Sequence, residues 1–191
     1  MPLSPPAPRA KLHRRLIDMH GYQREDGLFD IEAWLEDTKS YGFDNHDRGR
    51  IEPGEALHGM WLRLTVGEDM VIQGCEAAMD FTPYDVCPGA APNFAALRGV
   101  PIGPGFNRAV KERVGGTAGC THLRELLAQM ATVAFQTIGP VRWRRAAEAR
   151  AAALARGEAP PAPRRAVPLN SCFAYAEEGE VVRRLRQEAE E

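Results

Sequence analysis

The stretch Leu28-Phe29-Asp30-Ile31-Glu32-Ala33-Trp34-Leu35-Glu36-Asp37-Thr38-Lys39 decides the fold class. Phe29, Ile31, Ala33 and Leu35 fall on one side of an extended chain, and Asp30, Glu32 and Glu36 fall on the other. That period of two marks a half-buried β-strand. Residues 12–22 alternate in the same way, and Arg24-Glu25-Asp26-Gly27 between the two runs has a turn's composition, with Gly27 free to take positive φ. A β-hairpin is therefore expected to open the domain. Residues 42–55, carrying Asp44, Asn45, Asp47, Gly49, Pro53 and Gly54, read as a loop. Met60, Leu62, Leu64 and Val66 then alternate with Trp61, Arg63 and Thr65, and a Gly67-Glu68-Asp69 turn leads into residues 70–77, giving a second hairpin. His58 shares the parity of the apolar residues, so its side chain is expected on the core side, where the strand begins.

After Pro83 the apolar spacing lengthens to that of helices. Cys87 precedes Pro88, which suits a first helical turn, and Gly99 closes a segment holding Phe94 and Leu97. Phe106, Val110 and Val114 mark a short helix ended by Gly115-Gly116. A long helix is expected over 120–138, with Leu123, Leu126, Leu127, Met130, Val133, Ala134 and Ile138 as its apolar stripe and Gly139-Pro140 as its stop. The alanine- and arginine-rich residues 141–156 form a further, solvated helix. The expectation is thus an α+β fold, two antiparallel β-hairpins packed against three or four helices. Its organisation is a flexible arm over 1–11, one domain over 12–156, a proline-rich linker over 157–168 and a C-terminal segment, 169–191, docking back on the domain.

The chain has 191 residues, long enough to bury a real core without disulfides or a metal. Twenty-four basic against 26 acidic residues leave a formal charge of -2 and no overall attraction for nucleic acid. The arginines at 142, 144, 145, 150, 156, 164 and 165 read as a solvated face rather than an RNA contact, since no stacking aromatic signature accompanies them. No apolar run of membrane-spanning length is present, and prolines occupy the start where a signal peptide is apolar, so a cytoplasmic protein with no membrane partner is expected. Its four cysteines, at 75, 87, 120 and 172, should be reduced thiols. The exposed Ala/Arg stretch suits a homodimer.

The residues that could carry chemistry stand at element ends. His58 opens a strand, Cys87 opens a helix, and Cys120 and His122 open the longest helix. If these ends meet, they form a metal site of His58, Cys87, Cys120 and His122, for which zinc suits the mixed sulfur and imidazole donors, or they supply a nucleophile and a base. Unpaired N–H groups at helix starts favour a thiolate at Cys87 and Cys120. Either cysteine could equally be a small buried hydrophobe. His122 and Glu125 share a helix face, and Asp18, His20 and Tyr22 share a strand face, where an acid, an imidazole and a phenol suit proton transfer to a polar small molecule or simply an exposed sheet. Tyr84 and Trp61 could form an aromatic wall, though Trp61 also fits core packing. Gly115-Gly116-Thr117-Ala118-Gly119 lacks the lysine and spacing of a nucleotide loop.

The motifs Arg15-Leu16-Ile17-Asp18-Met19-His20-Gly21-Tyr22, Glu25-Asp26-Gly27-Leu28-Phe29-Asp30, Asp37-Thr38-Lys39 and Gly116-Thr117-Ala118-Gly119-Cys120-Thr121-His122-Leu123 resemble a bacterial family catalogued as a domain of unknown function. More distantly, the order of the 60–77 hairpin, the Cys87 helix and the Cys120 helix resembles iron–sulfur scaffold proteins of the IscU type. In that likeness Cys87 and Cys120 match two cluster cysteines and His58 stands near the third, a departure that leaves a metal site but argues against cluster assembly. The first resemblance implies a lyase acting on a small aromatic, lignin-derived substrate and releasing formaldehyde from a hydroxymethyl side chain. It would need no organic cofactor. The base would come from His20, His58 or His122 and the acid from Asp18, Glu125 or Tyr84, with Tyr22, Arg15 and Trp61 binding substrate. Two alternatives stay open, a metal or iron–sulfur carrier and a small-molecule-binding module without catalysis.

Overall fold

A computed structural model describes residues 3–159 and 169–190. The fold is α+β. Its centre is a four-stranded antiparallel sheet built from β1 (His13–Gln23), β2 (Phe29–Lys39), β5 (Ala56–Val66) and β6 (Ile72–Phe81), in the order β1-β2-β5-β6. The two expected hairpins are thus joined through β2 and β5 into one sheet. Between those strands the expected loop carries a small separate hairpin, β3 (Phe43–Asn45) and β4 (Gly49–Ile51). Three-residue strands are too short to show a period, so composition alone reads as loop.

The sheet's core face is built by parity. Phe29, Ile31, Ala33 and Leu35 of β2 and Met60, Leu62, Leu64 and Val66 of β5 are all at most 1% exposed. A 3-10 segment (Cys87–Leu97) follows β6 and buries Phe94 and Leu97, where a helix was expected. Pro92 inside it has no N–H to donate, which disfavours α-helical bonding. Helix α1 (Phe106–Val114) buries Phe106, Val110 and Val114. Helix α2 (Thr121–Ala155) contributes Leu123, Leu126, Leu127, Met130, Ala134 and Ile138 to the core. The expected stop at Gly139-Pro140 is corrected, because helical backbone continues through Pro140. A proline removes one hydrogen bond, and the alanine-rich run beyond it has the propensity to go on.

The chain divides into two compact units, 1–138 and 139–191. Within the second, Ala153 and Val182 are buried, and α3 (Glu180–Glu190) follows a 3-10 turn at Phe173–Tyr175. Residues 3–11 are exposed and without regular structure, and most of the expected proline-rich linker, 160–168, lies outside the described residues. Among the described residues no helix is long and apolar enough to cross a membrane. All four cysteines are free thiols.

Two contacts fix how α2 lies on the sheet. Glu125 near its start meets Arg15 of β1, and Thr137 lies against Gly21 of the same strand. Six strand residues cover about 20 Å. Twelve helical residues cover about 18 Å. Strand and helix are therefore matched in length and run side by side. A Cβ on Gly21 would collide with the Thr137 side chain, which is braced by its own hydrogen bond to the Val133 carbonyl at 2.8 Å. Gly21→Val is expected to lower stability by about 1–3 kcal/mol through overpacking. Thr137→Ala in the same chain should recover part of that loss, and thermal melts of the three variants check it.

Candidate metal centre

The site is assembled by strand register. Asp37 continues the parity of Phe29, Ile31, Ala33 and Leu35, so the carboxylate enters the core face at the end of β2, and its side chain is only 3% exposed. Register places Arg15 of β1 and His58 of β5 opposite it on either side. The pairing Asp37↔His58 is followed by Thr38↔Ala56, which leaves Leu57 as a bulge beside the histidine. Bulges re-aim neighbouring side chains. Arg48, from the turn of the β3–β4 hairpin, holds this bulge in place, donating from Nη1 to the Ala56 carbonyl at 2.8 Å and from Nη2 to Glu55 at 2.7 Å.

From the helical side, Cys120 caps α2 with its carbonyl on the Arg124 N–H, and His122 lies in the first turn. Gly119 makes that approach feasible, since a Cβ there would strike the Val114 carbonyl.

The geometry around Asp37 is dense. Its Oδ1 accepts from Arg15 Nε at 2.8 Å and lies 2.9 Å from His13 Nε2. Its Oδ2 accepts from Arg15 Nη2 at 2.7 Å, with His58 Nδ1 at 3.0 Å and His122 Nε2 at 3.8 Å. The His58 and His122 rings stack with centroids 3.9 Å apart. Burial pushes the Asp37 carboxyl up, but the hydrogen bonds and charge of Arg15, aided by His13 and His58, outweigh it and hold it at about 2. Burial, and then the neighbouring His122, push His58 down to about 4 against the pull of Asp37. His122 is also lowered, by burial first and by Arg15 second. At neutral pH the centre therefore holds an ionised carboxylate and two neutral imidazoles, the protonation states that metal ligation needs.

The ligand atoms of Asp37, His58 and His122 all lie within 4.8 Å of one another. A tetrahedral zinc with bonds near 2.0–2.1 Å would put its ligand atoms roughly 3.3–3.4 Å apart. The separations of 3.0 and 3.8 Å from Asp37 Oδ2 lie on either side of that value, so these three groups could hold a divalent ion. An ion held by three protein ligands would keep a coordination position for a further group. Arg15, anchored on both carboxylate oxygens and on Glu125 at 3.1 Å, orients the carboxylate as an outer partner.

Of the four expected ligands, His58 and His122 converge. Cys87 stands outside the group, and Cys120 stays one contact away, its Sγ 3.9 Å from His122 Nδ1. Glu125 sits at the rim, about half exposed. Asp18, His20 and Tyr22 do share a face, with Asp18 and His20 at 3.2 Å and the His20 and Tyr22 rings at 6.0 Å. It is the outer face, opposite His58 and His122, because Asp18 pairs with Trp34 while its neighbour Ile17 pairs with Leu35. Trp61 is on that outer face too, stacked on Trp34 at 4.5 Å and donating its indole N–H to Asp80. There it lines a groove of about 250 Å³ with Glu32, Arg63 and Glu76. Tyr84 is exposed beyond the end of β6. Arg15 is committed to Asp37 and Glu125. Sequence reasoning missed Asp37 and His13. The signal for Asp37 was present, a carboxylate in the fifth place of an apolar parity.

Fold and centre together define an α+β protein with a buried carboxylate and two imidazoles that could hold a metal ion. The chain belongs to the family described as proteins of unknown function, DUF2889, whose model matches residues 13–136. Every residue of the centre, including His13, falls inside that match. Among curated proteins and among solved structures no match is found.

Proposed function

We propose that this protein is a small-molecule lyase that breaks a C–C bond in a lignin-derived phenolic compound and releases formaldehyde by acid/base catalysis at Asp37, His58 and His122, a group that could also enlist a divalent metal, zinc by donor type. The observation that supports a reactive centre is the convergence of those three ligand atoms within 4.8 Å on the sheet's core face. The substrate class rests on the family resemblance.

The chemistry asked of these residues is a retro-aldol cleavage. A neutral imidazole takes the proton of the primary alcohol, the C–O bond becomes a carbonyl, and the C–C pair stays on the aromatic framework, which then takes up a proton. In the metal-free route, with Nδ1 of His58 donating to Asp37, its Nε2 keeps a lone pair for the first transfer, and Asp37 balances the imidazolium that forms. The His58 imidazolium then returns that proton to the carbon framework, which regenerates the base. In a metal-assisted route Asp37, His58 and His122 would instead hold a divalent ion, which would supply Lewis acidity toward the developing alkoxide.

The test is formaldehyde release from a phenolic dimer bearing a hydroxymethyl group, measured on protein as purified, on chelated protein and on chelated protein reloaded with zinc. Release is expected to fall at least 100-fold in His58→Ala with the fold retained, as removal of a general base costs 10²–10⁴-fold. Undiminished release from a His58→Ala/His122→Ala double variant, or none from the native chain with any such phenolic, overturns the proposal. A metal carrier is the second reading, and the same three ligand atoms support it. That reading expects stoichiometric, exchangeable metal without turnover.

A further inference from the structure

Away from the centre, the first unit has a groove of about 280 Å³ between α1 and the first turn of α2, lined by Asn107, Val110, Lys111 and Arg124. Asn107, Val110 and Lys111 stand at i, i+3 and i+4 and so share one face of α1. Val110 is the buried floor, and the polar groups around it are N–H donors without a carboxylate among them.

The charge in this groove is uncompensated for a specific reason. The acidic residues adjacent in sequence are turned elsewhere, Glu112 to Arg108 at 3.2 Å and Glu125 to Arg15 at 3.1 Å. The other arginine near α1, Arg113, is used up on the carbonyls of Ala96 and Arg98. Arg15, Arg24, Arg48 and Arg63 are each matched by carboxylates. Arg124 is half-buried and, like Lys111, has no acidic partner among the described residues. A planar guanidinium presents a fork of donors that matches the oxygens of a carboxylate or phosphate, and a lysine adds a point charge. Arg124 also lies in the first turn of a long helix, where the partial positive charge favours an anion.

We propose that this groove binds a small oxyanion, a carboxylate or phosphate group, through Arg124, Lys111 and Asn107, with Val110 contacting any apolar part of the ligand. The site stands independently of the lyase reading.

Calorimetric titration of the chelated full-length protein at low ionic strength, with inorganic phosphate in one arm and benzoate in the other, tests it. Saturable one-to-one binding of at least one of them is expected, weakened at least tenfold by Arg124→Ala and severalfold by Lys111→Ala. Arg108→Ala, which removes an exposed charge already paired on the same helix, should change affinity less than twofold. The preferred arm identifies the group. No saturation by either anion at millimolar concentration overturns the proposal. Equal losses in Arg108→Ala and Arg124→Ala would mean attraction to overall charge and overturn it as well. So would binding that survives Arg124→Ala and disappears in His122→Ala, which would belong to the metal centre.

Discussion

Asp37→Ala is expected to destabilise the protein by about 3–5 kcal/mol, the cost of breaking a buried ion pair by removing one partner. The carboxylate is nearly fully buried and receives Arg15 on both oxygens as well as His13 and His58. Without it the Arg15 guanidinium is left beside two imidazoles with only rim Glu125 to meet it. Urea denaturation at pH 7 measures the loss, and in zinc titrations the variant is expected to take up less metal than the native chain. A double variant, Arg15→Met with Asp37→Leu, should be more stable than Asp37→Ala, since an apolar pair leaves no orphaned charge. A loss below about 1 kcal/mol in Asp37→Ala would place the pair in the class of surface ion pairs.

Acidification should weaken the metal-free fold well before the carboxylates protonate. His58 is lowered in the folded state to about 4 from an ordinary 6.5. The unfolded chain therefore takes up a proton below about pH 6.5 that the folded chain refuses until about pH 4, and stability falls across that window. The fall is about 3 kcal/mol if His58 acts alone, and His122 adds in the same direction. Asp37 acts lower down. Its contribution is intact above about pH 4 and disappears as pH falls through about 2. Denaturation curves of chelated protein at pH 7 and pH 4.5 check the slope, and His58→Gln should flatten it. A stability flat between those pH values in the native chain would mean that the imidazoles protonate freely in the fold.

How much of this was legible in the sequence differs from residue to residue. The period of two at Phe29–Leu35 and Met60–Val66 sufficed for both hairpins and for the inward side of His58, because one face of each strand is buried and the other is not. Asp37 obeyed the same parity, yet its importance depends on Arg15 and His58 lying opposite, and that register is set by the turn at 24–28 and by the bulge at Leu57. Neither can be counted from one chain's periodicity. His13 was hidden for a similar reason, being two residues from Arg15 on an edge strand. Residue type suggests ligation by the thiols, but packing decides which element ends meet, and Cys87 and Cys120 stand outside the Asp37, His58 and His122 group.

The place of β1 at the sheet's margin has a kinetic consequence. Of the two edge strands, β6 also packs on the 3-10 segment, whereas β1 has β2 as its one hydrogen-bonded neighbour, so β1 is the strand that can peel away at least cost, and it carries both Arg15 and His13. Transient fraying there would uncover Asp37 to solvent while the other three strands stay paired. Deuterium uptake at residues 13–17 should accordingly outpace that at 58–64, and a bound ion, by stapling β2, β5 and α2 together, would slow the second region more than the first.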